Sequence, residues 1–283
     1  MSFKNVINYY KLNNFTPATT SVLMEEYYQW IDWKKDDNLS LLDIGSGPGH
    51  TFRESVYPLI PENFSRIVLS DISAEMVEVE KMEFYGDHRV YCEVMDIGVE
   101  IPNDLRKRLG TFDHITSFFC LMWISDQQKA MDNIYGLLKP GGNAFLVLAA
   151  DSPVVDAMLS VCESPKWKEH CIGWQDFYVY PYKNLKEAEN KGINFMLRAG
   201  FTNVKAELRN HPFCFESDEE KERFLRGIPN YCTKNVPLEI QEQIFQDRLA
   251  HFDQFNLGPY RNNDKKVEKE NTMLILFGEK EIE

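Results

Sequence analysis

The chain has 283 residues, 43% of them apolar and 27% charged, which excludes a disordered or fibrous protein and suits one elaborated globular domain spanning 1–283. Its 31 basic and 44 acidic residues leave a formal charge of −13, which repels phosphate backbones and anionic membranes, so neither nucleic acid nor a membrane is an expected partner. The opening MSFKNVINYYKLNN has no basic flank leading into an apolar stretch, and no run of ~18 apolar residues follows, so a cytoplasmic protein is expected.

In chain order, SLLDI (40–44) is a predicted strand, and Phe52, Val56 and Leu59 lie at helical spacing in the stretch before Pro61. RIVLSD (66–71) is the second strand. Ser73 is placed to cap a helix through Met76 and Val77, with Glu75 in a first turn whose dipole favours an acid. VYCEVMD (90–96) and FDHITSFF (112–119) are the third and fourth strands. Asp126 then caps a helix with Ala130, Met131, Ile134, Leu137 and Leu138 on one apolar face, KPGG (139–142) ends it as a turn, and NAFLVLAA (143–150) is the fifth strand.

Farther on, Asn184 with Glu187 predicts a capping box opening a helix that stops at Gly200, and TNVKAEL (202–208) predicts a sixth strand. Residues 218–256 have helical character, FNLGPYRNNDKK (255–266) has the composition of a loop, and MLILF (273–277) is a seventh, buried strand. Strands alternating with helices imply parallel strands joined by right-handed crossovers. The expected fold is therefore α/β: a doubly wound, mostly parallel seven-stranded Rossmann-like sheet that binds its ligand at the strand carboxyl ends.

Six cysteines, Cys92, Cys120, Cys162, Cys171, Cys214 and Cys232, are scattered without a Cys-x-x-Cys pair, and the six histidines show no metal spacing, so neither a zinc site nor a disulfide framework is expected. The chemistry concentrates instead in LLDIGSGPGH (41–50). Gly45 permits a tight turn after the first strand, while Gly47 and Gly49 leave room for a ligand against the main chain. A dinucleotide fingerprint needs its third glycine where His50 stands, which disfavours a nicotinamide dehydrogenase. The pattern is instead D-x-G-x-G-x-G, starting at Asp43. Asp71 ends the second strand 22 residues after Gly49, where an acid can take both hydroxyls of a ribose.

That pattern resembles the first motif of class I S-adenosylmethionine-dependent methyltransferases, whose glycine loop packs against the methionine part of the cofactor. The resemblance implies that Asp96, closing the third strand, faces the adenine amino group with Ile97 beside the ring, and LKPGG before the fifth strand is typical of the class. The donor site is thus expected to comprise Asp43, Gly45, Ser46, Gly47, Gly49, Asp71, Ile72, Asp96, Ile97 and Phe118. A narrower resemblance runs from about residue 7 to about residue 208. DIGSGPG, LSDISAEMV, FFCLMWISDQQKAMDNIYGLLKPGG, SPKWKEH, YPYKN and AGFTNV are similar to segments of the insect juvenile hormone acid O-methyltransferase family.

Members of that family methylate the carboxylate of farnesoic or juvenile hormone acid, so the resemblance implies a lipophilic acid as acceptor and a place in juvenile hormone biosynthesis. It puts Trp123 on the tryptophan bordering the acceptor carboxylate. Two positions depart from the pattern: Met122 stands where the family usually has histidine, and Thr16 or Pro17 where it has a glutamine that holds the carboxylate. A carboxylate with a pKa of ~4 is already ionised and needs no general base, only hydrogen-bond donors in a dry pocket. Trp123, Thr16 and Tyr10 are the expected catalytic contacts, with Tyr9, Asn13 and Asn14 as further donors on an N-terminal arm (1–35) over the cleft. Segments 151–183 and 212–268 are expected lids, the first carrying aromatics from Trp167 to Tyr182 that can enclose a lipophilic tail. An amine or phenol acceptor, or a binding protein weakened in catalysis, are the alternatives, and self-association into a homodimer is open.

Overall fold

The computed structural model describes the chain except residues 1–2, 32, 34–37, 177–178, 212–214, 216, 229–235, 255–269 and 283. Its strands are β1 (Leu39–Ile44), β2 (Phe64–Asp71), β3 (Val90–Val94), β4 (Phe112–Phe118), β5 (Leu138–Asp151), β6 (Thr202–His211) and β7 (Asn271–Glu279). Every residue of β1 and β4 is buried, as a continuous apolar run requires when helices cover both faces of a parallel sheet. The order across the sheet is β3-β2-β1-β4-β5-β7-β6. β1 to β5 pair in parallel, whereas β7 enters antiparallel to both β5 and β6. Winding reverses between β1 and β4, and a crevice opens at their carboxyl ends.

The helices are α1 (Phe3–Leu12), α2 (Phe15–Tyr27), α3 (Ala74–Glu83), α4 (Asn103–Leu109), α5 (Gln127–Leu137), α6 (Pro153–Glu163), α7 (Leu185–Ala199), α8 (Asp218–Gly227) and α9 (Leu238–Asp253). Two of the expected caps form: Ser73 Oγ accepts from Met76 N, and Asp126 Oδ1 accepts from Lys129 N. The α5 stripe of Ala130, Met131, Ile134 and Leu137 is fully buried, worth ~1.5–3 kcal/mol for each larger side chain. None of the helices among the described residues is long and apolar enough to cross a membrane.

Three local expectations are corrected. The helix expected through Phe52, Val56 and Leu59 is a widened turn in which Tyr57 N donates to Phe52 O, followed by a tight turn over Tyr57–Leu59. Pro58 has no N–H to continue an α-helix, and Leu59 is consequently exposed. KPGG is not a turn: β5 begins at Leu138 directly after α5, and Gly141 N donates to Lys280 O while Lys280 N donates to Gly142 O. At Gly142 a side chain would lie 2.8 Å from Asp113 O, so the glycine serves close packing at the strand's start. Asn184 begins α7 with its carbonyl accepting from Glu187 N, and its side chain makes no cap bond. Gly200 ends that helix at φ 108°, as the sequence predicts.

Candidate active site

The glycine turn begins where β1 ends. Gly45 N and Ser46 N both donate to Ser70 O, which pins the turn to the neighbouring end of β2. Gly45 sits at φ 73°, and a Cβ there would come within 2.3 Å of Cys120 Cβ and Sγ. Gly47, at φ 61°, would meet only Tyr9, at 3.9 Å. The first glycine is thus required by close approach and the second by its left-handed backbone at the edge of open space.

Asp71, the last residue of β2, accepts from Gly47 N at 3.1 Å and from Ser73 N at 2.9 Å. Burial pushes its carboxyl above the usual range, and these two amides act in the opposite sense. Asp96 lies just past β3 and accepts from Gly98 N at 2.8 Å, which turns the chain so that Ile97 is buried. A cavity of about 490 Å³ opens among these groups, within the size range of small-molecule sites. Gly45, Gly47, Asp71, Ile72, Asp96, Ile97, Thr16 and Trp123 all line it. Main chain at one edge, a carboxylate at the end of β2 and an apolar ring contact after β3 fit a nucleoside joined to an amino acid.

Five expected site residues lie off the cavity lining. Asp43 points between strands, where its Oδ1 accepts from the Thr116 hydroxyl at 2.6 Å, and burial pushes its carboxyl up to about 8. Ser46 Oγ is tied to the Ser70 main chain, donating to O and accepting from N. Gly49 packs against Glu80 and Phe84. Phe118 is buried against Phe145, while Phe119, at φ 56°, takes the cavity position. Side chains alternate along a strand, so Ile44 and not Asp43 faces the cleft. Tyr10 is also displaced: its hydroxyl donates to Glu83 at 2.9 Å, and Tyr9 lines the cavity one residue earlier.

The N-terminal segment supplies a compact polar group. Thr16 N and Thr16 Oγ1 both donate to Asn13 Oδ1, at 3.1 and 2.9 Å. Burial pushes the Tyr9 hydroxyl up, opposed by the Asn13 and Thr16 side chains next to it. Pro17 is buried with its carbonyl accepting from the Ser55 hydroxyl and does not reach the lining. His50, where a dinucleotide loop would carry glycine, donates through Nε2 to Asn13 O at 3.0 Å. That bond ties the arm to the base of the glycine turn.

Trp123 packs edge-on against Tyr180, their rings 5.4 Å apart, and Met122 is buried beside it on the same wall. The rest of the aromatic lid is anchored elsewhere. Trp167 Nε1 donates to Asp247 on α9, and the Tyr182 hydroxyl donates to Gln127 on α5. Phe177 and Tyr178 lie outside the described residues, as do Cys214, Cys232, the 255–266 stretch and much of the 212–268 segment. Phe15, Ser152, Val154, Phe224, Ile228 and Asn271 complete the wall without having been singled out in the sequence. Among the described residues no group of three or more metal-ligating side chains forms, and Cys92, Cys120, Cys162 and Cys171 are in no disulfide.

The sheet order, the glycine turn on β1 and the acids closing β2 and β3 define a Rossmann-like methyltransferase. The chain is an enzyme of the S-adenosylmethionine-dependent methyltransferase class, with S-adenosylmethionine as its cofactor. Residues 42–144 match the methyltransferase domain family. Juvenile hormone acid O-methyltransferase of Drosophila melanogaster is 28% identical over 275 residues, 96% of this chain and 91% of that one. The Bombyx mori enzyme of the same name is 27% identical over 259 residues, 90% and 88% of the two chains. The resemblance to those enzymes therefore extends over more of the chain than the segments that first carried it. Phosphoethanolamine N-methyltransferase 2 of Haemonchus contortus with S-adenosylmethionine shares the fold at TM-score 0.57 and 17% identity, covering 99% of this chain and 57% of that one. The YcgJ protein from Bacillus subtilis does so at TM-score 0.54 and 18% identity, covering 94% and 100%.

Proposed function

We propose that this methyltransferase esterifies a lipophilic carboxylic acid of the farnesoic or juvenile hormone acid type. The observation that carries the reading is the neutral polar group of Tyr9 and Asn13, the latter fixed by Thr16, set on a cavity wall that is otherwise rich in apolar side chains. The titratable residues on the described lining are Tyr9, Asp71, Asp96, Cys120 and Tyr180. Both carboxylates are engaged by backbone amides at the ends of β2 and β3, and burial raises the hydroxyls and the thiol. Such a wall suits an acceptor that arrives ionised. The names of the Drosophila and Bombyx relatives support the same acceptor.

Gly45 and Gly47 would lie against the methionine part of the cofactor, Asp71 against the ribose, and Asp96 with Ile97 against the adenine. When bound, S-adenosylmethionine supplies a methyl group on a positively charged sulfur. The residues' contribution is alignment and dehydration. The Tyr9 hydroxyl and the Asn13 side-chain N–H would hold the acceptor carboxylate, Thr16 would fix Asn13 by donating to its Oδ1, Trp123 and Tyr180 would border it, and Phe15, Met122 and Phe224 would keep water away. Fixing the acceptor in line with the methyl group is worth up to ~7–11 kcal/mol of the barrier. Met122 in place of the family's histidine leaves that wall neutral, consistent with a step that needs no base.

The test is transfer of labelled methyl from S-adenosylmethionine to a panel of isoprenoid and straight-chain acids, with matched amines and phenols alongside. Methyl ester from the acids alone is the expected result. Methylation of only the amines or phenols, or tight cofactor binding without turnover on any acid, would overturn the reading.

A further inference from the structure

Gln127, the first residue of α5, ties two parts of the cavity wall together. It is 2% exposed, and its Nε2 donates to Leu121 O and to Ile124 O, both at 2.7 Å, which closes the short turn carrying Met122 and Trp123. Its Oε1 accepts from the Tyr182 hydroxyl at 2.8 Å. Both N–H bonds and the oxygen of this buried amide are therefore engaged, and they join the tryptophan turn to the aromatic segment after α6.

Tyr182 belongs to a second turn, residues 180–183, in which Lys183 N donates to Tyr180 O at 3.3 Å and Pro181 stands where its fixed φ favours the bend. Lys191 on α7 donates to Pro181 O at 2.8 Å, and Lys183 pairs with Asp156 on α6 at 2.8 Å. Bonds from α5, α6 and α7 thus converge on four residues. Tyr180, at the head of the turn, sits at φ 38°, a left-handed conformation that is costly for a bulky L residue and persists only where its surroundings impose it.

What this strained residue brings to the cavity is a phenol. Tyr180 is 8% exposed, lines the cavity and meets the Trp123 ring edge-on. Its hydroxyl has no hydrogen-bond partner among the described residues, and its oxygen is not one of the polar atoms sealed from contact, so a group entering the cavity can reach it. Burial pushes the hydroxyl well above its ordinary value, so it keeps its proton and remains a donor.

We propose that the Tyr180 hydroxyl donates a hydrogen bond to the carboxylate of the acceptor, and that Gln127 positions it there together with Trp123. Tyr180 is then an acceptor-binding residue, and the aromatic segment recognises the charged head of the acid as well as enclosing its tail. Gln127 is a positioning residue that touches no ligand itself. This inference rests on the reading of the acceptor as an acid.

The experiment compares the wild-type chain with Tyr180→Phe, which removes the hydroxyl and keeps the ring against Trp123. It measures kcat and KM for a lipophilic acid, inhibition by the methyl ester of that acid, and S-adenosylhomocysteine affinity as the check on folding. Tyr180→Phe is expected to lower kcat/KM by about ten- to hundred-fold, the worth of a hydrogen bond to a charged group. The loss should fall mainly on KM, because the carboxylate gives up its charge as the ester forms. Inhibition by the neutral ester should weaken less, by about three-fold. Tyr182→Phe, which cuts the bond to Gln127 and leaves the Tyr180 hydroxyl in place, should give a smaller loss of the same kind. The double variant should then be no worse than Tyr180→Phe alone. Wild-type kcat/KM in Tyr180→Phe, or equal losses for acid and ester, overturns the role of Tyr180, and losses that multiply in the double variant overturn the positioning by Gln127. Those results leave the acid reading standing. Failure of the wild-type chain to esterify any acid overturns that reading, and this inference with it.

Discussion

Gly45→Ala isolates the contact on which the glycine turn is built. An alanine there keeps φ near 73°, a left-handed conformation that costs an L residue ~1–2 kcal/mol. Its Cβ would lie 2.3 Å from both Cys120 Cβ and Cys120 Sγ, and although Sγ can rotate about the Cα–Cβ bond, Cβ is fixed by the backbone and cannot swing clear. Overpacking of that kind adds ~1–3 kcal/mol. Reduced freedom of the unfolded chain returns ~0.4–1 kcal/mol, so the net loss is about 1–5 kcal/mol. Urea unfolding followed by fluorescence measures it, and a double-mutant cycle with Cys120 identifies its source. Cys120→Gly removes Cβ and should couple favourably to Gly45→Ala by most of the steric cost, whereas Cys120→Ala retains Cβ and should couple less. A Gly45→Ala variant within ~0.5 kcal/mol of wild type, or equal rescue by the two cysteine variants, would refute the steric account.

Asp71→Ala should weaken S-adenosylhomocysteine binding in calorimetry by ~2–4 kcal/mol, the worth of a pair of charge-assisted hydrogen bonds. Unchanged affinity would mean that the ribose lies elsewhere. Asp43, pushed up to about 8 by burial, with the Thr116 hydroxyl opposing and the Asp71 charge adding to the rise, keeps its proton in the folded chain over a range where the unfolded chain, near 3.8, has lost it. The associated stability is full below about pH 4 and is lost as pH rises through about 8. Asp43→Asn removes that dependence, so its stability relative to wild type should rise from pH ~5 to pH ~9, by an amount on the order of 5 kcal/mol at most. A flat difference in urea midpoints across that range would show that Asp43 is not held protonated.

Features governed by near neighbours were legible in the sequence. The seven strands follow from apolar runs of the right length, Ser73 and Asp126 cap as their short polar side chains dictate, and Gly200 ends its helix in the left-handed conformation. The glycine turn and the acids at 71 and 96 were legible too, because each sits at a strand end whose position the pattern predicts. Asp43 and Phe118 lie off the cavity lining because spacing identifies the end of a strand but not which of two consecutive side chains faces the cleft. The aromatic segment after β5 was read as a lid on composition, yet Trp167 and Tyr182 spend their polar atoms on Asp247 and Gln127.

The sequence by itself thus determined the class of fold and the glycine turn at the edge of the cavity, since a 3.6-residue or two-residue period and a glycine's φ are properties of a few adjacent residues. Only the tertiary structure decided what lines the far side of the cavity. Tyr9, Asn13 and Thr16 from the first turns of the chain, Phe224 from α8 and Asn271 from β7 meet on one cavity wall. Their meeting depends on β7 entering the sheet antiparallel between β5 and β6 and on His50 holding the N-terminal arm at Asn13. Contacts across such separations are set by how whole elements pack, and no local period encodes them.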